Sequence, residues 1–171
     1  VLTLLQKLPP DLPAAVLVVQ HIADGFAPGL ADWLDREVDL SVNMAVAGSL
    51  LQAGKVLIAP NRVHLTVKSN RIALTDTPPL NNCRPAVDAM FSSLVEQGLA
   101  AETVAVLLTG MGNDGVSGMA AAYRQGAYTI AQDEQTCAVF GMPKAAIDRG
   151  AATQVLPIEN IAEVVTRLFA R

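Results

Sequence analysis

His21, one of only two histidines in 171 residues, closes the apolar run Ala14-Ala-Val-Leu-Val-Val-Gln20, which reads as a buried strand. A second and more apolar run, Thr103 to Thr109, leads into Gly110-Met111-Gly112-Asn113-Asp114-Gly115. Ligands of open α/β sheets gather beyond the carboxyl ends of the parallel strands, so His21 and Asp114 emerge at equivalent places. A carboxylate accepting an imidazole N–H fixes the ring's tautomer and stabilises the imidazolium formed during proton transfer. The pair is therefore suited to general base chemistry. The plainer role for Asp114 is the N-cap of the following helix, worth about 1 kcal/mol, with the glycines serving a tight turn.

The same loop matches G-x-G-x-x-G between a strand and a helix, with Asp133 and Glu134 further on, so a nucleotide-binding oxidoreductase is an alternative. Two points oppose it. Asp114 would set a carboxylate where a pyrophosphate must sit, and the fingerprint normally opens the first βαβ unit rather than the last third of a chain. A nucleophile is harder to find. None of Ser41, Ser49, Ser69, Ser92, Ser93 or Ser117 follows a clear parallel strand in a glycine turn. Cys137, after the strand ending near Ala131, is the one thiol weighed as a partner for His21, though it reads better as a small buried side chain. His64 falls in an alternating segment away from the strand ends.

These residues must be held by an α/β scaffold. Apolar residues make up 51% of the chain and charged ones 16%, enough for one buried core. Strands are expected at 14–20, 41–46, 55–59, 103–109, 127–131 and 153–156. Helices are expected at 1–8, from Pro28 through Val38, from Arg84-Pro85 through Val95, and at 116–125, 143–149 and 158–169. That alternation predicts a three-layer, doubly wound, mostly parallel sheet. Val63, Leu65 and Val67 alternate with polar residues, and Lys68-Ser-Asn-Arg71 makes a turn before Ile72 to Thr75, so an antiparallel hairpin is appended. Twelve Lys and Arg against sixteen Asp and Glu repel a nucleic-acid backbone. No run approaches the about 20 apolar residues of a membrane span, so no membrane insertion is expected. Cys83 and Cys137 show no metal-ligand spacing and read as free thiols of a reducing compartment.

With these motifs together, the sequence resembles the catalytic domain of chemotaxis protein-glutamate methylesterases. The resemblance runs over almost the whole chain. It is carried by Val19-Gln-His21-Ile with Gly25-Phe26, Leu57-Ile-Ala-Pro60 with His64-Leu65, and Arg84-Pro-Ala-Val-Asp88. Its longest stretches are Leu107-Leu-Thr-Gly-Met-Gly-Asn-Asp114-Gly and Ala131-Gln-Asp-Glu-Gln-Thr-Cys-Ala-Val-Phe-Gly-Met-Pro143-Lys. The resemblance implies a Ser-His-Asp hydrolase in which His21 and Asp114 are the second and third triad members. Met111, with Gly110 and Gly112, would offer backbone N–H donors to the oxyanion. It implies demethylation of glutamate methyl esters, and deamidation of glutamines, on the cytoplasmic helices of methyl-accepting chemoreceptors. No metal or organic cofactor is expected, and the location is cytoplasmic. A phosphorylatable N-terminal receiver domain is an expected companion. The family's serine lies in a glycine-flanked loop after a first strand. Both are expected just ahead of Val1, so 1–171 is read as a single catalytic domain lacking its first strand and nucleophile loop. A catalytically inactive receptor-binding module is the remaining alternative. The family usually has His where this chain has Cys83, and often Ser where it has Ala86.

Overall fold

The computed structural model describes residues 1–170. Its strands and helices alternate in chain order: α1 (Leu2–Leu5), β1 (Val16–Val18), α2 (Ala27–Glu37), β2 (Ser41–Met44), β3 (Lys55–Ile58), β4 (His64–Lys68), β5 (Arg71–Thr75), α3 (Val87–Glu96), β6 (Val104–Leu107), α4 (Val116–Arg124), β7 (Tyr128–Gln132), α5 (Met142–Asp148), β8 (Gln154–Leu156) and α6 (Ile158–Phe169). Every expected element is present. A 3-10 turn at Ala100–Glu102, unmarked in the sequence, joins α3 to β6.

Six strands form two parallel groups of three, ordered β1-β3-β2 and β6-β7-β8. The period of two along each strand sorts side chains onto two helical layers. Val56 and Ile58 of β3 pack with α1, α2 and α6 through Leu5, Leu34 and Ile161. Leu57 between them packs on the opposite face with α3, α4 and α5 through Phe91, Met119 and Ala146. This is the doubly wound, three-layer α/β arrangement that the alternation predicts. The hairpin β4–β5 is antiparallel with Lys68 opposite Arg71. Ser69 and Asn70 both take positive φ, 50° and 59°, as a two-residue hairpin turn of the right twist requires. Ser93 Oγ accepts Val67 N–H at 2.9 Å and fastens the hairpin to α3.

Two elements are shorter than their apolar runs suggest. The helix expected over 1–8 is regular only at Leu2–Leu5, and the strand expected over 14–20 is regular only at Val16–Val18. The strand's shortfall has a visible cause. β1 and β6 are end strands of their groups, and their outer edges face each other across a cleft of about 1250 Å³ lined by Leu5, Val16, Val18, Val104 and Val106. All three residues of β1 are therefore only half buried, although their apolar character suits a strand covered on both sides. No helix is long and apolar enough to cross a membrane among the described residues.

The junction of β6 with α4 depends on Gly115. Its φ is +86°, and a Cβ there would lie 2.6 Å from Val87 Cγ1 and 2.8 Å from Leu107 Cδ2. Both contacts are with buried side chains, so backbone strain and overpacking add. Gly115→Ala is expected to destabilise the protein by about 1–3 kcal/mol, read as a lowered midpoint of urea unfolding.

Candidate active site

The backbone leaves β1 at Val18 and delivers His21 three residues later, at the carboxyl end of the sheet. The loop after it is held in place by Asn61, whose side-chain amide donates to Ile22 O at 3.3 Å. From the other half of the sheet, β6 delivers Asp114. The two side chains meet: His21 Nε2 lies 2.8 Å from Asp114 Oδ2. The His21 side chain is 32% exposed and that of Asp114 only 3%. The carboxylate is thus an internal anchor and the imidazole its solvent-facing end. Nε2 faces an ionised acceptor and carries the proton, which leaves Nδ1 as the ring nitrogen able to exchange one.

Asp114 does not cap the helix that follows it. That N-cap is Gly115 in a left-handed conformation, with no side-chain bond. Asp114 instead reaches across to α3, whose own N-cap, Ala86, has no side chain able to accept. Oδ2 accepts Val87 N–H at 2.7 Å and Oδ1 accepts Asp88 N–H at 3.1 Å. The debt is returned by Asp88, in the first turn of α3, whose Oδ1 accepts Gly118 N–H of α4 at 2.7 Å. Each helix therefore satisfies amides at the start of the other, which sequence spacing within one helix cannot reveal. Asn81 bridges the two acids by donating to Asp88 Oδ2 at 2.7 Å and to Asp114 Oδ1 at 3.3 Å.

Burial pushes the Asp114 carboxyl up, but the His21 bond, the Val87 and Asp88 amides and the Asn81 side chain together hold it below the ordinary value of 3.8. It is therefore ionised at neutral pH.

Several residues bear on this pair in ways the sequence left unmarked. Asn81 and Asn82 both have positive φ, 50° and 61°, in a tight turn closed by mutual backbone bonds between Leu80 and Cys83. The Asn-Asn dipeptide is the local signal for such a turn, but its position beside His21 is tertiary. His64 is fully buried. Its Nδ1 accepts Ala86 N–H at 3.1 Å and its Nε2 donates to Pro78 O at 3.2 Å. It pins both ends of the segment that carries Asn81 and Cys83, a structural task rather than a chemical one. Of the two thiols, Cys83 and not Cys137 stands with His21 and Asp114, their donor atoms all within 4.8 Å of one another. Burial, then the Asp114 charge, pushes the Cys83 thiol up and keeps it protonated, so it makes a poor nucleophile.

In the glycine loop, Gly110 N–H is committed to Val139 O at 3.0 Å, and Gly110 O accepts from Gly141 and Met142. The first glycine is accordingly a packing residue: a Cβ would meet Met142 Sδ at 2.7 Å. Gly112 takes φ +89° with open space around it, and Met111 is 81% exposed. Of the three loop N–H groups considered for an oxyanion, those of Met111 and Gly112 donate to no group among the described residues. The acid of this loop turns away from α4 to serve α3 and His21.

The chain matches the family model described as CheB methylesterase over residues 1–165. It is 47% identical over 165 residues to a protein-glutamate methylesterase/protein-glutamine glutaminase of Symbiobacterium thermophilum, covering 96% of this chain and 45% of that protein. With a Cupriavidus pinatubonensis protein of the same description it shares 50% identity over 160 residues, 93% of this chain and 47% of the relative. The chain thus spans about half the length of the curated relatives it matches. The crystal structure of the Thermotoga maritima CheB methylesterase catalytic domain superposes with a TM-score of 0.91 at 38% identity, covering 98% of this chain and 90% of that one. These similarities give no support to a nucleotide-binding oxidoreductase.

Asp114→Asn would set an amide against two backbone donors. It is expected to cost about 1–3 kcal/mol at neutral pH in urea unfolding. The folded carboxyl titrates below its unfolded counterpart, so its contribution is complete above the unfolded value of 3.8 and lost as pH falls through the folded one. The gap between wild type and variant should therefore close in strongly acidic solution.

Proposed function

The chain belongs to the CheB methylesterase family, and on that premise we propose that it is the catalytic part of a serine hydrolase acting on glutamate methyl esters of chemoreceptors. The observation that carries the reading is the bond between a solvent-facing His21 and a buried, ionised Asp114. A serine hydroxyl attacks the ester carbonyl while His21 Nδ1 takes its proton. Collapse of the tetrahedral adduct breaks the C–O bond, and the imidazolium returns the proton to departing methanol. Water then attacks the acyl-serine by the same route and releases glutamate. Asp114 holds the ring throughout and balances its charge. In this reading the oxyanion is received by the N–H groups of Met111 and Gly112, which donate to no other group among the described residues. Glutamine side chains fit the same cycle with ammonia as the leaving group, in keeping with the double name of the relatives.

The serine, in this reading, comes from a segment ahead of Val1. The cleft between β1 and β6 supports it: the cleft is walled by apolar side chains and by two strand edges, the surroundings in which a parallel strand is stable. Such a strand would run out at the His21 end of the sheet and set the following residue beside the imidazole. Residues 1–171 are then one catalytic domain completed by that strand. The remaining half of the relatives' length leaves room for a phosphorylatable receiver domain. The substrates are the cytoplasmic helices of methyl-accepting receptors, and the protein works in the cytoplasm.

Methanol release from methylated receptor, with the protein carrying its preceding segment, tests this. His21→Ala is expected to lose roughly 10²–10⁴-fold in turnover while still folding, with at most a modest drop in unfolding midpoint from the lost bond to Asp114. Turnover near wild type in that variant removes His21 from the mechanism. A fluorophosphonate should label one serine upstream of Val1, as read by peptide mass. Labelling within residues 1–171 instead would overturn the proposed source of the nucleophile.

A further inference from the structure

The hydrolytic cycle makes no use of Cys83, yet its thiol stands with the two groups that do the work. Cys83 Sγ, a His21 ring nitrogen and an Asp114 carboxylate oxygen all lie within 4.8 Å of one another. They come from three separate segments: the loop after β1, the turn before α3, and the loop after β6. Thiolate, imidazole and carboxylate are each ligands for zinc, and three protein ligands with a fourth position open to water is a common zinc arrangement. Bond lengths of about 2.0 Å to nitrogen and oxygen and about 2.3 Å to sulfur bring such donors to roughly 3.2–3.8 Å from each other. To reach that spacing the Cys83 thiol closes in, and His21 Nε2 and Asp114 Oδ2, now 2.8 Å apart, open by roughly 0.5 Å.

The parts able to move and the parts held still are well distributed for it. Asp114 is the fixed ligand, clamped by Val87 N–H, Asp88 N–H and Asn81, and such outer bonds orient a metal-ligating carboxylate. Cys83 is the adjustable one. It is partly exposed, and its thiol makes a single weak bond, to Asn81 O at 3.4 Å. His21 is exposed enough to admit an ion from solvent. The ion would take the place of the proton between His21 Nε2 and Asp114 Oδ2, facing the lone pair that its departure frees on Nε2. Charge balances as well. Neutral imidazole keeps one proton on Nδ1, Cys83 releases its proton to solvent, and thiolate plus carboxylate neutralise a divalent cation. Sulfur and nitrogen donors favour zinc or a similar borderline ion over magnesium or calcium.

We propose that His21, Cys83 and Asp114 form a three-ligand site for zinc or a like divalent cation, and that its occupation reversibly arrests the hydrolase. Binding stands on the geometry alone; the arrest rests on the function proposed above. The ion is an inhibitor here, since it occupies the ring nitrogen that Asp114 must hold.

Cobalt(II) chloride is the first probe, because a cobalt–thiolate bond produces a charge-transfer band in the near ultraviolet and tetrahedral cobalt produces visible bands. Both should saturate at one cobalt per chain in the wild type, persist in Cys137→Ala, and vanish in Cys83→Ala and His21→Ala. Zinc chloride should displace the cobalt, and its calorimetric Kd should rise at least about tenfold in Cys83→Ala. No thiolate band, or a band that survives in Cys83→Ala, overturns the site. In the methanol-release assay, zinc should lower wild-type turnover at least about tenfold relative to chelator-treated protein. Cys83→Ala, measured against its own chelator-treated rate, should be much less affected. Zinc bound without arrest overturns the inhibitory role, whereas cobalt spectra as expected in a protein that releases no methanol would count against the proposed function and leave the site standing.

Discussion

Two helices that start side by side each present amide groups that their own turns cannot satisfy, and in this protein each is served by an acid belonging to the other's neighbourhood. Asp114, at the foot of α4, accepts the first amides of α3, and Asp88, in the first turn of α3, accepts an amide of α4. Much else follows from this exchange. It draws α3 and α4 so close that Gly118 has no room for a Cβ, which would stand 2.7 Å from that of Phe91. It also makes the Asp114 carboxylate immobile. The positive ends of peptide dipoles at the start of α3 favour its charge, so a buried anion is retained without a formal cation beside it. His21 then receives a hydrogen-bond acceptor whose position is set by backbone, not by a rotating side chain.

The same economy explains the supporting residues. His64 contributes no chemistry, but both its ring nitrogens are engaged with backbone at Pro78 and Ala86. It fixes the segment between them at its two ends, and the tight Leu80–Cys83 turn fixes it in the middle. What reaches the site from that segment, the Asn81 amide and the Cys83 thiol, is therefore presented on a rigid mount. Preorganisation of this kind lets hydrogen-bond donors and acceptors act without reorganising during a reaction.

The layered sheet, the hairpin and both members of the His21–Asp114 pair were legible in the sequence, because period and strand-end position are local signals. The apolar run at 127–131 reported a strand covered on both faces, whereas in the run at 103–109 Ala105 and Leu107 are buried and Val104 and Val106 line the cleft. Alternation at Val63, Leu65 and Val67 reported the hairpin, though His64 between them is buried as well. What was not legible is tertiary. The N-cap reading of Asp114 failed because spacing assigns a cap to the nearest helix, whereas the folded chain brought a second helix start within reach. Cys137 drew attention for its place after a strand, yet Cys83, in an unremarkable turn, is the thiol that arrives at the site. Gly110 looked like an oxyanion donor because a glycine-rich turn offers N–H groups clear of side chains, but its own N–H is bonded to Val139 O. Each of these depends on which segments meet, and residue type alone does not encode that.

The bare facing edges of β1 and β6 have a consequence for how the molecule holds together. Hydrogen-bonded sheet is normally the continuous element that makes a doubly wound domain melt as one unit. Here the ladder is interrupted, and the halves carrying His21 and Asp114 are coupled through helix packing and through the bond between those two side chains. Strands β1 and β6 each pair on one side only among the described residues, so the cleft is where an extended segment would join the two groups. An extended segment lodged in the cleft would make one ladder of the two groups, from β2 to β8. The same insertion would set the spacing of the His21–Asp114 pair, so mechanical integrity and assembly of the reactive centre would arrive in a single step.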